Sequence, residues 1–362
     1  MEENLDTFAS IASPYLLGIQ SKKIVADSYE KVFSLLQLPE SSRVVFTHGS
    51  AEAVSQVLFS VWNESARKSG KTHFIATALS EAPAVLAMSY YEPQGGKLHI
   101  TKASSLGVVT SDDVIRMLSP RTVLLSISYV SGLTGVVQPL SEIKALCRDR
   151  GVFLHVDITH AVGKTYLDLK EMDADYVTLS FNQLQGPVAS GLLIAKENVP
   201  LAPLVFGQNE ELLRGGEVDI AKMTGSLYAL EATLLDGILY ATEVARLRSL
   251  FEESILSSVP NASVLFQDQE RSPHITCMTF PGVKNEALLF LLQKKGLYAT
   301  MGGGLFQTLS VALQACGIDH QASEEALSFA LSKETTEDEV KKAALNISTA
   351  VTELRRLSKV FV

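Results

Sequence analysis

The stretch Val152-Phe-Leu-His-Val-Asp157 decides the fold, because it is a short apolar run that ends on polar residues. Its length and composition predict a buried β-strand. It follows a helical stretch, residues 140–150, which Gly151 ends. Ligands of parallel α/β sheets lie at the carboxyl ends of the strands, so Asp157 occupies a candidate functional edge.

Short strands and helices alternate on both sides of this stretch. This pattern is typical of a mostly parallel sheet covered by helices on both faces. The other strands predicted in this region are residues 44–47, 73–77, 97–100, 122–129, 176–180 and 191–195, and the helices include 51–60 and 82–90.

The pattern changes after Thr224. A long helical stretch, 227–256, precedes two predicted strands and two predicted helices with irregular connections. These elements are strands 274–280 and 326–331 and helices 285–295 and 336–357, with a glycine-rich turn at 302–304. We therefore predict a large α/β domain over residues 1–235, with its N-terminal segment available to pack on the second domain. A smaller α+β domain covers 236–362.

Composition narrows the class of protein. The 362 residues are 46% apolar and 20% charged, as expected for a folded soluble chain. The net charge of −9 disfavours nucleic acid as a partner, because that binding rests on clustered Lys and Arg. The acidic N-terminus lacks the order of a signal peptide, and no apolar run is long enough to span a bilayer. Three widely spaced cysteines indicate free thiols, so we expect a cytoplasmic protein without a membrane partner.

Five short motifs, in order, resemble those of the cysteine desulfurases in the class V aminotransferase group (NifS-like). That family consists of fold-type I enzymes that use pyridoxal phosphate (PLP). The motifs are Phe46-Thr-His-Gly-Ser-Ala-Glu-Ala53, similar to FTSGATEA; Gly135-Val-Val-Gln-Pro139, similar to GVIQP; His155-Val-Asp-Ile-Thr-His-Ala-Val-Gly-Lys164, similar to HVDAAQAxGK; Ser180-Phe-Asn-Gln-Leu-Gln-Gly-Pro187, similar to SxHKxxGP; and Leu212-Leu-Arg-Gly-Gly216, similar to GLRSG.

The resemblance implies the fold-type I architecture. This is a large domain with a mostly parallel, seven-stranded type of sheet, followed by a smaller C-terminal α+β domain. It also implies a homodimer in which the partner subunit completes each active site.

The family's cofactor-linking lysine falls on Gln183. An amide has no nucleophilic nitrogen lone pair and cannot bond the cofactor aldehyde. Lys164 matches a family lysine that does not carry the cofactor. Further family positions are replaced here: the ring-stacking histidine by Ala82, the ring-oxygen asparagine by Gly132, its companion glutamine by His160, two phosphate-binding threonines by Ala51 and Glu217, the sulfur-accepting cysteine by Leu305, and the substrate-clamping arginine by Ser328.

Other pocket positions are retained or lie next to retained ones. In the family, the aspartate at Asp157 pairs with the protonated ring nitrogen and makes the ring an electron sink. Without a ring, we expect His160 or His48 to contact this carboxylate. The rest of the ancestral cofactor pocket comprises Gly49, Ser50, Ser180, Asn182 and Arg214.

We expect no catalytic residues, no bound cofactor and no metal, and therefore a non-catalytic binding or regulatory protein. Its partner would be an active desulfurase or an iron–sulfur scaffold protein. One alternative is a desulfurase or aminotransferase-type transferase that holds PLP, or its amine form, without a covalent link. Another is a reused pocket that binds a different ligand through Asp157, His160, His48 and Arg214. Imidazole and carboxylate also suit zinc or iron, but His160 follows the end of the strand that carries His155 and Asp157.

Overall fold

The structure, a computed structural model, describes residues 9–208, 213–303 and 307–358. The chain divides into two compact units. The first unit contains the described residues of Met1–Thr101 with Val114–Tyr129 and Leu140–Leu235. The second contains Lys102–Asp113, Val130–Pro139 and the described residues after Leu235.

A seven-stranded sheet forms the centre of the first unit, in the order β1-β7-β6-β5-β4-β2-β3. Strands β2 to β6 pair in parallel, and β7 runs antiparallel to both β6 and β1. The mostly parallel sheet of the predicted α/β fold is therefore confirmed. The strands are β1 Arg43–Thr47, β2 His73–Thr77, β3 Lys97–Thr101, β4 Thr122–Ser128, β5 Phe153–Asp157, β6 Tyr176–Ser180 and β7 Gly191–Ala195.

Helices surround this sheet. α2 packs on β6 and β7 through its apolar face, and buried residues of α2, β2 and β4 share one core with Trp62. α1 packs along α8, where Lys31 Nζ lies 2.6 Å from Glu231 Oε2. The helices before residue 236 are α1 Leu16–Leu35, α2 Ser50–Val61, α3 Arg67–Ser69, α4 Ala82–Ser89, α5 Ser111–Ile115, α6 Leu140–Arg150, α7 Leu169–Met172 and α8 Ile220–Leu235, with a π turn at Trp62–Ala66 and 3₁₀ turns at Glu92–Gln94 and Phe181–Leu184.

The second unit is an antiparallel sheet, in the order β10-β9-β8, with helices packed against it. Its core includes Phe251, Phe280 and Phe329, whose rings meet edge to face. Its elements are α9 Gly237–Leu239, a π turn at Tyr240–Val244, α10 Ala245–Ser258, β8 Ser263–Val264, β9 Ile275–Thr279, α11 Asn285–Lys294, α12 Leu309–Ala315, α13 His320–Ser323, β10 Ala326–Ala330 and α14 Glu337–Ser358.

The sequence predicts a single boundary between the two domains, after residue 235. In the structure, two earlier segments, 102–113 and 130–139, also belong to the second unit. Backbone hydrogen bonds explain this membership. The Ala103 N–H donates to Ala315 O (3.3 Å), and the Val137 N–H donates to Glu270 O (2.9 Å). Such pairings between residues distant in sequence leave no local signal.

No helix among the described residues combines the length and the apolar character needed to cross a bilayer.

A close backbone contact joins β7 to the turn after β1. Gly49 has φ +119°, and a Cβ on Gly191 would lie 2.6 Å from the carbonyl carbon of Gly49. We expect Gly191→Ala to destabilise the protein by about 1–3 kcal/mol, because backbone cannot yield as a side chain does. Urea unfolding measures this loss. Gly303→Ala, where a Cβ would meet no atom within 4 Å, is the control; equal unfolding midpoints for the two variants would contradict the contact.

Candidate functional site

Asp157 is the last residue of β5, and the register of the sheet places Thr178 of β6 opposite it. Thr178 Oγ1 donates to Asp157 Oδ2 (3.2 Å), and the Thr159 N–H donates to Asp157 Oδ1 (2.8 Å). Burial raises the pKa of Asp157, while these hydrogen bonds act in the opposite direction. The carboxylate is therefore fixed in orientation at the carboxyl end of the sheet.

His155 continues this network toward the interior. Its Nε2 lies 2.9 Å from Thr178 Oγ1, and its Nδ1 lies 2.8 Å from Ser126 Oγ. Because the Thr178 hydroxyl donates to Asp157, it accepts from His155 Nε2–H, so Nδ1 accepts from Ser126. Burial lowers the pKa of His155 to about 3, which keeps the ring neutral in this tautomer. A directed chain of hydrogen bonds therefore ends on the Asp157 carboxylate.

Within the described part of the chain, Asp157 is held by Thr178 and Thr159 and not by His160, contrary to our expectation. His160 Nε2 lies 3.6 Å from Glu81 Oε1, at the start of α4. Burial, and secondarily the charge of Lys164, lower the pKa of His160 to about 4. The expectation failed because Asp157 is in register with Thr178, a neighbour that sequence proximity does not reveal.

Gln183 lies in the 3₁₀ turn that follows β6, with an exposed side chain. Its backbone carbonyl accepts from Lys164 Nζ (2.7 Å), and burial lowers the pKa of Lys164 to about 8. In the same turn, Ser180 Oγ donates to Asn182 Oδ1 (2.6 Å). The Lys164 amine is thus engaged by the backbone of residue 183.

A second group of site residues surrounds the N-terminus of α2. Arg214 Nε donates to Glu52 Oε1 (2.6 Å), and the His48 N–H donates to Glu52 Oε2 (2.9 Å). Gly49 precedes the helix and Ser50 begins it. The helix N-terminus favours an anion, but Glu52 already places a carboxylate there and engages Arg214.

A pocket opens beside this group, between β1, α1 and α8. His48, Arg214 and Glu217 all lie on its wall, so the structure brings these three sequence-predicted residues together. On the same wall, Lys222 Nζ lies 3.3 Å from Asp219 Oδ2. Two cations, Arg214 and Lys222, and two carboxylates, Glu217 and Asp219, therefore share the wall of a partly apolar pocket with Tyr29, Phe46, Val218 and Met223.

The remaining predicted positions are separate. Ala82 begins α4, directly after Glu81. Gly132 and Ser328 belong to the second unit, where Ser328 pairs through its backbone with Thr300. Leu305 lies outside the described residues.

Sequence reasoning overlooked the residues that hold the site residues in place, above all Thr178, Glu81 and Glu52. One signal was available, because Thr178 precedes the quoted Ser180 by two positions and so shares its face of the strand. The described ranges contain no group of three or more His, Cys, Asp and Glu side chains placed to hold a metal ion.

Comparisons with known proteins identify the family. The sequence pattern described as Aminotransferase class-V matches residues 7–342. The chain belongs to the class-V aminotransferase family. It is 30% identical over 334 residues to a cysteine desulfurase of Enterobacter agglomerans, covering 91% of this chain and 82% of that protein. It is 28% identical over 358 residues to the cysteine desulfurase NifS of Azotobacter vinelandii, covering 98% and 88%.

Solved structures agree on the fold of this family member. A NifS-like protein superposes with a TM-score of 0.87 at 23% identity, covering 96% of this chain and 93% of that chain. DndA from Streptomyces lividans gives a TM-score of 0.76 at 24% identity, covering 89% and 92%. The NifS-like resemblance and the fold-type I class are confirmed.

The family implies PLP, so the fit of the site to that group can be tested on its residues. Asp157 presents a buried carboxylate with a hydrogen bond to each oxygen, and a carboxylate suits the protonated nitrogen of a pyridine ring. Gln183 offers no amine, and the Lys164 Nζ is engaged by a carbonyl. The site therefore offers a carboxylate for the ring nitrogen of PLP.

His155, the buried histidine hydrogen-bonded to Thr178, makes the stability of the protein depend on pH. Its unfolded pKa of about 6.5 exceeds its folded pKa, so the unfolded chain binds the extra proton and stability falls as pH falls below about 6.5. We expect His155→Asn to be less stable at pH 7 by about 1–3 kcal/mol, from two lost hydrogen bonds. The gap to wild type should shrink by up to about 1.4 kcal/mol per pH unit below 6.5.

Urea unfolding at pH 7, 6 and 5 measures this gap. The control is His48→Gln, which removes an exposed imidazole of the same unit. A gap between wild type and His155→Asn that stays constant with pH would show that His155 is not held neutral by the fold.

Proposed function

We propose that this chain is a transferase of the cysteine desulfurase or aminotransferase type that holds PLP, or its amine form, without a covalent link. The main support for this proposal is the carboxylate of Asp157, which Thr178 and Thr159 fix at the carboxyl end of the sheet. Membership of the class-V family supports the cofactor class. When bound, the ring supplies an electron sink for bonds broken at the substrate carbon.

The residues of the chain have distinct parts in this proposal. Asp157 binds the ring nitrogen and keeps its proton in place. Thr178 and His155 orient that carboxylate, because each hydrogen bond in the chain has a fixed direction. The pairing of Arg214 with Glu52 leaves less positive charge for a phosphate than an unpaired arginine would supply.

A second candidate is a non-catalytic binding or regulatory protein of this family. Gln183 favours it, as do Glu217, which would repel a phosphate, and Ser328, which cannot clamp a carboxylate as arginine does. In this candidate the partner is an active desulfurase or an iron–sulfur scaffold protein. Both candidates are proposed as homodimers.

Equilibrium dialysis with PLP tests the ring site. We expect wild type to bind PLP, with no fixation to the chain after borohydride reduction because Gln183 lacks an amine. Asp157→Asn should bind PLP about 10- to 100-fold more weakly, because the variant loses a hydrogen bond to a charged group. Asp149→Asn, on an exposed helix end, is the matched control. Failure of wild type to retain PLP would leave the non-catalytic candidate as the better account.

Restoring the amine gives a sharper test. We expect Gln183→Lys to turn yellow with PLP and to gain a borohydride-fixed adduct, seen by mass spectrometry of the peptide that follows β6. The non-catalytic candidate predicts that sulfide release from cysteine by this variant stays near background, because Ser328 and Leu305 remain. Absence of any adduct would contradict an open ring pocket. Sulfide or keto-acid formation by wild type above a PLP-only control would exclude the non-catalytic candidate.

A further inference from the structure

Two histidines, His73 and His99, lie away from the Asp157 site, and His73 is at the opposite end of the parallel strands of the first unit. His73 is the first residue of β2, whereas Asp157 is the last residue of β5, which runs in the same direction. His99 is in β3, the edge strand, opposite Ile75. Neither residue belongs to the family motifs or to the pocket described above.

The two rings converge. His73 Nδ1 lies 3.3 Å from His99 Nε2, with ring centroids 5.2 Å apart. Ser119 Oγ lies 3.0 Å from the same His73 nitrogen. Two imidazole nitrogens on one tetrahedral ion, each at about 2.0–2.1 Å from it, are about 3.3–3.4 Å apart. The observed spacing therefore matches that of two imidazole ligands on one tetrahedral ion.

The protonation state also favours a ligand role. Burial, followed by the neighbouring charges, lowers the pKa of both His73 and His99, so both rings are neutral at pH 7 and keep a lone pair. The neighbouring charges are Lys97 and Arg121, which oppose a cation. Arg121 is engaged by other groups, since its Nη2 donates to Thr72 Oγ1 (2.8 Å) and its Nε donates to Gly70 O (3.3 Å).

We propose that His73 and His99 form a two-imidazole site for a divalent first-row transition ion. Ser119 Oγ or water completes the coordination. The order of stability for nitrogen ligands makes Cu²⁺ the tightest probe of such a site, although its square-planar preference requires the two nitrogens to approach to about 2.8 Å. Because His99 is on the edge strand and His73 on its neighbour, a bound ion ties β3 to β2.

The test uses the purified full chain and Cu²⁺ alone, by calorimetry and electron paramagnetic resonance. We expect one site at pH 7.5 with hyperfine splitting from two nitrogens and a higher Tm when Cu²⁺ is present. His73→Gln and His99→Gln should each weaken binding at least about tenfold and leave at most one nitrogen of the pair in the spectrum. His320→Gln, which removes an exposed histidine beside Glu324, should bind like wild type.

Three results would overturn the site. The first is wild-type affinity weaker than about 1 mM. The second is equal affinity of His99→Gln and wild type, and the third is a wild-type spectrum without a two-nitrogen pattern. The spectrum of wild type decides the question even where a variant folds poorly. Circular dichroism without metal establishes whether each variant is folded before its affinity is compared.

Discussion

The hydrogen bond from Thr178 to Asp157 across β5 and β6 is the contact on which the candidate site depends. It exists because parallel pairing places these two residues in register, and it holds a carboxylate that burial alone would disfavour in its charged form. His155 and Ser126 extend the contact into the sheet. The same strand pairing that builds the fold therefore also orients the carboxylate of Asp157.

Charges around the site are compensated within the first unit. Glu52 engages Arg214, Glu81 lies beside His160, and the Gln183 carbonyl engages Lys164. Such pairing makes the replaced positions tolerable in a folded chain, because a buried charge without a partner is costly. In the function proposed above, hydrogen bonds and an ion pair to Asp157 hold the ring.

Most of the secondary structure could be predicted from the sequence. The predicted strand at 152–157 is β5, and the predicted helices at 285–295 and 336–357 are α11 and α14 within one residue at each end. The predicted long helix at 227–256 is interrupted instead, since α8 ends at Leu235 and a π turn at Tyr240–Val244 precedes α10. The antiparallel direction of β7 and the two early segments in the second unit were not predictable, because they follow from long-range pairing.

The sequence by itself determined the family, the alternation of strands and helices, and the residue types available at each site position, including an amide at 183. These follow from local periodicity and from motif spacing, which are written along the chain. Only the tertiary structure decided which side chains meet: Thr178 with Asp157, Glu81 with His160, and His73 with His99. The physical reason is that side chains interact through space, and the pairing of strands and packing of helices bring together residues that are far apart in the sequence.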